Sequence, residues 1–480
     1  MKKYLIILIT LFFVTSCNDE IEDLKPFSQG DPSTFFNSVR TFQLGVDGAL
    51  QQMRLYYEDA GSGLQGIPDI LSDNVIISRS GRLSNRDYYE YTYNPNTLGP
   101  VSLYFYKAYN SIRTANTVIK QIDNLPAGED RDNILGQALA IRAYAHFDLA
   151  RIYAKIPTQS DDANGSLGVA YIKAEDGDTE DELAKPKRET VAANYTEIIE
   201  DLEKALTLVG VDNGLERFNK NSINGILSRV YLYNGDYQKA IDAADKVTTK
   251  IIKGDKLDDL YTDVTQDGIV FTLAINSATE TRNNNVGVLY NQSNDDGVRS
   301  EYVIDHEFYN SIPDTDPRKA AMRFVGKWEG NDYNAVKKFL GEAGENNGRV
   351  DIKVLRAAEV ILNKAEAQYE LGKTTEALAT LDLLRAERNG GAGAGGETGA
   401  ALEDAIQFNR RIELAFEGHR FFDIKRRGED LNRSNKGDLI DGTGTPPVAQ
   451  TVSAGNFRFQ LPIPISERNV NPDFNQNPGY

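Results

Sequence analysis

Twice in this chain a glycine stands five residues before an alanine, between two stretches patterned as helices: Gly235-Asp236-Tyr237-Gln238-Lys239-Ala240 and Gly372-Lys373-Thr374-Thr375-Glu376-Ala377. A tyrosine-bearing stretch (Tyr231, Tyr369) precedes each glycine, and an Ala/Leu-rich stretch follows. Glycine permits the tight turn and a small alanine lets the second helix lie close on the first, the signature of a tetratricopeptide-type helix pair. Such pairs bury their apolar faces against one another, which confines the fold to a mostly α framework. Apolar spacing predicts further helices over 101–120, over Asn133–Tyr153 (with Leu135, Leu139, Ala143, Phe147 and Ala150 on one side, ended by Pro157) and over Glu189–Leu208. Asn221–Val247 and Lys353–Arg388 complete the set.

The pairs do not form a continuous solenoid, because Ile269–Gly348, strand-like and loop-like in composition, stands between them. Residues 56–100 are rich in glycine and tyrosine, 160–186 read as a long acidic surface connection, and 280–300 are rich in asparagine. Residues 389–400 are nearly all Gly and Ala, and 430–480 are irregular.

The 480 residues carry 53 basic against 71 acidic side chains, a formal net charge of −18, which opposes nonspecific nucleic-acid binding. Hydrophobic residues at 40% and charged residues at 26% describe a globular chain. One cysteine excludes a disulfide scaffold. That cysteine, Cys17, follows Lys2-Lys3, the eleven-residue apolar run Tyr4–Val14, and the small residues Thr15 and Ser16. The run is too short for a mature membrane span of roughly 20 residues and suits a secretory signal over 1–16. Val14-Thr15-Ser16-Cys17 matches a bacterial lipobox, in which the cysteine becomes acylated; a plain signal peptide is the alternative. The acidic stretch Asn18–Asp23 then opens a tether over residues 17–30.

No complete phosphate loop, Gly-x-x-x-x-Gly-Lys-Ser/Thr, occurs, since Gly372-Lys373-Thr374 has Ala367 where the first glycine would stand, and there is no Gly-x-Ser-x-Gly elbow. His146, His306 and His419 are far apart, so a catalytic zinc is not expected; His146, on an apolar helix, reads as a satisfied interior residue. Acidic pairs such as Asp295-Asp296, Asp314/Asp316 and Asp176/Asp178 are indistinguishable from solvated surface, and none keeps an EF-hand spacing. No cofactor or metal is expected.

Four segments together resemble the SusD/RagB family of nutrient-uptake lipoproteins. They are the lipobox; ALAIRAYAHFDLARIYAKIP (138–157); residues 355–390, running on to RRIELAFEGHRFFDIKRRG (410–428); and the closing LPIPISERNVNPDFNQNPGY. The resemblance implies a SusD-like fold on four tetratricopeptide-like helix pairs, forming one domain over 31–480. Its helix framework would cover about 101–250 and 353–428, its loop-rich ligand side about 56–100 and 269–348, and a tail 430–480. It further implies a non-catalytic, lipid-anchored protein at the outer-membrane surface that hands an oligosaccharide to a SusC-like TonB-dependent transporter. An oligopeptide ligand, as in the RagB branch, remains open, as do a scaffold and a surface glycosidase. From spacing alone, Arg411, Glu413, Glu417 and Arg420 read as helix-surface ion pairs, and Phe416, Phe421 and Phe422 as core.

Sugars pack C–H faces on aromatic rings and need polar side chains for their hydroxyls, so aromatic residues interleaved with polar ones mark the candidates. Residues 79–93 hold three arginines and four tyrosines. Tyr89, Tyr91 and Tyr93 alternate as one packed face of a hairpin or edge strand, leaving Arg82, Asn85, Arg86 and Tyr88 for ligand. The arginines would also suit an acidic oligosaccharide. Tyr290-Asn291-Gln292, in the Asn-rich loop, and Trp328, the one tryptophan, flanked by Lys327 and Glu329, are the other candidates. Many glucan-binding members of the family present several tryptophans, so ligand class does not transfer with the resemblance.

Overall fold

The computed structural model describes residues 32–59, 63–97, 99–174, 185–210, 212–276, 280, 285–294, 297–341, 349–388 and 395–480. Cys17, its tether and residues 389–394 of the Gly/Ala run lie outside the described residues. The longer helices are α1 (Val39–Glu58), α2 (Phe105–Lys120), α3 (Glu129–Tyr153), α4 (Val191–Leu208), α5 (Lys220–Asn234), α6 (Tyr237–Ala244), α7 (Ala357–Glu370), α8 (Thr374–Arg388), α9 (Ala400–Glu413) and α10 (Arg420–Arg426). Helices adjacent in sequence pack on one another from α1 to α6; α7 then docks on α5 and α6 and receives α8 and α9.

Both sequence-flagged turns are built the same way. Gly235 and Gly372 take left-handed φ values of 83° and 72°. The next amide reaches five residues back, Asp236 to the Tyr231 carbonyl and Lys373 to that of Gln368, each at 2.9 Å, closing the helix end in a Schellman-type turn. Ala240 and Ala377 are both fully buried. Helix α3 is enclosed on every side from Ala138 to Tyr153; the charges it carries are paired inside, Arg142 with Asp201 and Arg151 with Asp148. His146 on it is satisfied as expected: Nδ1 bonds the Arg142 carbonyl (2.8 Å) and Nε2 accepts the Ile172 amide (3.0 Å). Burial lowers its pKa to about 3, leaving it neutral.

The intervening region supplies short strands: β1 (Val75–Ile77), β2 (Ile269–Leu273), β3 (Gln292–Asn294), β4 (Gly297–Arg299), β5 (Tyr302–Ile304), β6 (Arg323–Trp328), β7 (Asn331–Val336) and β8 (Ile352–Arg356). They pair antiparallel as β1–β5, β2–β8, β3–β4 and β6–β7. The helix expected from Lys353 therefore begins only at Ala357; the β-branched Ile352 and Val354 pair with β2 instead. Residues 167–172, read as surface connection, pack inward through Val169, Ala170 and Tyr171.

A lattice of buried ion pairs ties loops to helices. Glu413 accepts both Nε and Nη2 of Arg388 and Nη1 of Arg356, all at 2.8 Å. Glu417 accepts Arg356 (2.7 and 2.8 Å) and Lys338 (2.7 Å). Arg426 forks onto Glu366 at 2.6 and 2.7 Å. Arg420 grips Asp73 at 2.7 and 2.9 Å, with Arg411 beside it at 3.4 Å. The surface pairing expected among Arg411, Glu413, Glu417 and Arg420 is thus corrected. These charges are largely buried, and each finds its partner on a distant segment because α9 stops at Glu413 and turns before α10. Phe416, Phe421 and Phe422 are core, as expected.

These pairs set an acid limit on stability. Burial alone would raise the Glu366 and Glu417 carboxyls, but Arg426 and Arg356 respectively more than offset it and hold both at about 2, against an ordinary 4.5. A folded value below the unfolded one stabilises above pH 4.5, and that stabilisation is lost as pH falls toward 2. Asp69 acts oppositely: burial lifts it to about 6, so its contribution is lost as pH rises through 6. The melting temperature should therefore drop between pH 4.5 and 2. Glu366→Gln should cost about 3–5 kcal/mol at neutral pH and flatten that acid slope in calorimetry; an unchanged slope would contradict the assignment.

Candidate functional site

On the loop side, β1 and β5 pair Val75 with Ile304 and Ile77 with Tyr302. The chain leaving β1 then folds over β5 as the loop 78–84. The Ser78 amide bonds the Glu301 carbonyl at 2.8 Å. Gly81 lies so close that a Cβ there would meet the Glu301 Cα at 2.8 Å, which only glycine accommodates. The Glu301 carboxylate is the hub. It is fully buried and accepts Arg82 Nε (2.7 Å), the Ser84 amide (3.1 Å) and Gln292 Nε2 (3.0 Å). Arg82 spans the boundary, its side chain 49% exposed while its partner is enclosed.

The β3–β4 pair sets Gln292 opposite Arg299. Arg299 Nε donates to the Ser80 carbonyl at 2.6 Å, locking this pair to the loop. Its guanidinium carbon lies 5.7 Å from the Trp328 ring centroid. Trp328 ends β6 opposite Asn331, across a two-residue turn in which Glu329 (φ 50°) and Gly330 (φ 79°) are both left-handed, the geometry of a tight hairpin. The ring packs on Ile76, Val303 and Tyr333 and stays partly exposed. Arg82, Gln292, Arg299 and Trp328 thus form one continuous ledge, with Lys327 at its edge, 74% exposed.

The candidates divide. Arg82 and Trp328 share the ledge. Arg86 is exposed on a one-turn helix, Arg86–Tyr89, and bonds Glu90 at 2.8 Å. Asn85, half-buried and left-handed at φ 58°, precedes that turn. Tyr88 is corrected: at 1% exposure it is core, stacked on Tyr93 with centroids 5.0 Å apart, its hydroxyl accepting the Val101 amide at 3.0 Å. Tyr290 and Asn291 are corrected likewise. Both are fully buried, Tyr290 stacked on Phe339 at 5.5 Å and Asn291 donating to the Val336 carbonyl at 2.7 Å. No strand forms over 89–93. Left-handed residues Leu83, Asn85 and Tyr91 curl the chain so that all four tyrosines point inward. Arg299 and Glu301 were missed; the one available signal was the two-residue alternation that sets Arg299 across from Gln292.

Two larger hollows lie elsewhere among the described residues. A polar groove of about 450 Å³ runs beside α1, lined by Asp47, Arg54, Arg217 and Glu280. An apolar pocket of about 420 Å³ lies between α2 and the C-terminal segment, walled by Phe105, Tyr109, Val470 and Phe474. Among the described residues, no group of three or more His, Cys, Asp or Glu side chains could hold a metal ion.

Comparison with known proteins places the fold. Residues 280–480 match the SusD family, and residues 47–232 match the family described as starch-binding, associating with the outer membrane. SusD-like protein P2 of Formosa agariphila is 26% identical, with both chains covered in full. The crystal structure of a SusD superfamily protein from Bacteroides thetaiotaomicron superposes with a TM-score of 0.79 at 25% identity, over 92% of this chain and all of that one. A laminarin-binding SusD-like protein shares the fold at a TM-score of 0.71 and 21% identity, over 92% of this chain and all of that one. With residues 47–232 and 280–480 both matched by SusD-family models and a SusD-like relative aligned over the full chain, this protein belongs to the SusD/RagB family.

Proposed function

We propose that this protein is a non-catalytic glycan-binding lipoprotein of the outer membrane. In this reading, residues 1–16 are a signal peptide and Cys17 carries the lipid. Residues 17–30 tether a single SusD-like domain, 31–480, at the cell exterior. It captures an oligosaccharide and passes it to a SusC-like TonB-dependent transporter. The observation that carries the reading is the ledge: a partly exposed indole flanked by the guanidinium donors of Arg82 and Arg299, on a frame pinned by Glu301. An open ledge suits a long chain that must be gripped without being enclosed, and an aromatic ring beside fixed donors matches a sugar's C–H face and hydroxyl rim. The relatives described as starch-binding and laminarin-binding support a glycan as ligand. Asn85 and Arg86 would extend the grip beyond Arg82.

Two paired variants test the ledge. Trp328→Ala should weaken polysaccharide capture by about 1–3 kcal/mol in affinity electrophoresis or calorimetry, with the fold retained. Tyr88→Phe should leave capture unchanged yet cost about 1–3 kcal/mol of stability, because the buried Val101 amide loses its acceptor. The reverse pattern would move the site to the tyrosines. Tight binding of oligopeptides, with no glycan bound, would overturn the glycan reading. For the anchor, Cys17→Ala should release the protein from membranes while ligand binding in solution persists; membrane retention would remove the lipid assignment.

A further inference from the structure

Resting on the glycan reading, we infer that the ligand carries negative charge: an oligosaccharide bearing carboxylate or sulfate groups, held by Arg79 of the loop 78–82 and by Arg299, which is bonded to that loop at Ser80. Three cations on or near the ledge are already neutralised. Arg82 spends Nε and Nη2 on the buried Glu301, Arg86 bonds Glu90, and Lys327 lies 3.3 Å from Asp332. Two guanidiniums differ. Arg299 turns its Nε to a neutral acceptor, the Ser80 carbonyl, and its terminal nitrogens make no ion pair among the described residues. Arg79 is exposed; its backbone amide, not its guanidinium, is what Asp438 holds, at 2.9 Å. Among the described residues the Arg79 side chain likewise has no ion pair, and neither of the exposed carboxylates Asp87 and Glu329 pairs with either arginine.

Neutral sugars need no such charge, since amide and hydroxyl partners satisfy their hydroxyls. A planar guanidinium instead presents parallel N–H groups that match the two oxygens of a carboxylate or sulfate. The rest of the molecule argues the same way. At a formal net charge of −18 the chain repels polyanions in general, so retention of one would require a local cationic site. Ser80 fixes the Arg299 guanidinium through its Nε, and Asp438 fixes the backbone from which the Arg79 side chain projects. The Arg299 charge is therefore positioned before ligand arrives, which limits the ordering cost of binding.

The test compares matched polymers at physiological salt on the full-length domain: polygalacturonate against its methyl ester, and dextran sulfate against dextran, with laminarin as a neutral reference. The expected result is that one acidic polymer binds at least tenfold more tightly than its neutral counterpart. Arg79→Gln and Arg299→Gln should each reduce that preference several-fold while the melting temperature holds. Equal or tighter binding of the neutral partners, or an acidic preference that survives both substitutions, would overturn the inference and leave the glycan reading standing. Failure of every polysaccharide, laminarin included, would overturn both.

Discussion

Carboxylates buried beneath arginine forks are the constraint on which this structure depends. Glu413 receives three guanidiniums, those of Arg388 and Arg356 at 2.8 Å and that of Arg318 at 3.4 Å, Asp73 receives Arg420 with Arg411 alongside, and Asp69 accepts the amides of Phe416 and Gly418 at 3.2 and 3.1 Å. Each joins the segment 410–428 to a part of the chain tens to hundreds of residues away. Buried ion pairs add little net stability over apolar packing, but a pair stripped of one member is costly. Their consequence is that alternative arrangements of the loop side, which would strand a charge, are disfavoured. The motif that runs from α9 into α10 is therefore a clamp holding residues 69–74, from which the ledge springs.

The ledge repeats that logic on a smaller scale. Glu301 is enclosed, yet its partners come from the loop after β1 and from β3, so one carboxylate fixes the spacing between two otherwise independent hairpin-like pieces. Arg433 does similar work from the tail, donating to the carbonyls of Ile70, Ser72 and Tyr89 and lying 3.8 Å above the Tyr89 ring. A short-stranded, irregular surface gains the rigidity a binding face needs without an extended sheet.

The helix pairs were legible in the sequence because their cause is local: a 3.6-residue apolar period, a glycine able to turn left-handed, and an alanine small enough for close packing. The tyrosine segment was misread because its cause is not local. An alternation of Tyr89, Tyr91 and Tyr93 looks like a strand, but the tail residue Arg433 and the strand residue Tyr302 build the chamber that buries those rings, and nothing near residue 90 announces either. Tyr290 and Asn291 failed for the same reason, since Phe339 and Val336 cover them. Trp328 and Arg82 survived as candidates because a hairpin tip and a loop over a buried acid both leave a side chain half outside. Arg299 became visible only once the β3–β4 register set it beside Ser80 and the indole.

The direct test is a crystal structure of the protein with a captured oligosaccharide. The expected result is a sugar ring against Trp328, with the chain running past Arg82 and Arg299 on the ledge. A ligand seated instead in the polar groove beside Arg54 and Arg217, or in the apolar pocket between Phe105 and Phe474, with Trp328 untouched, would contradict it.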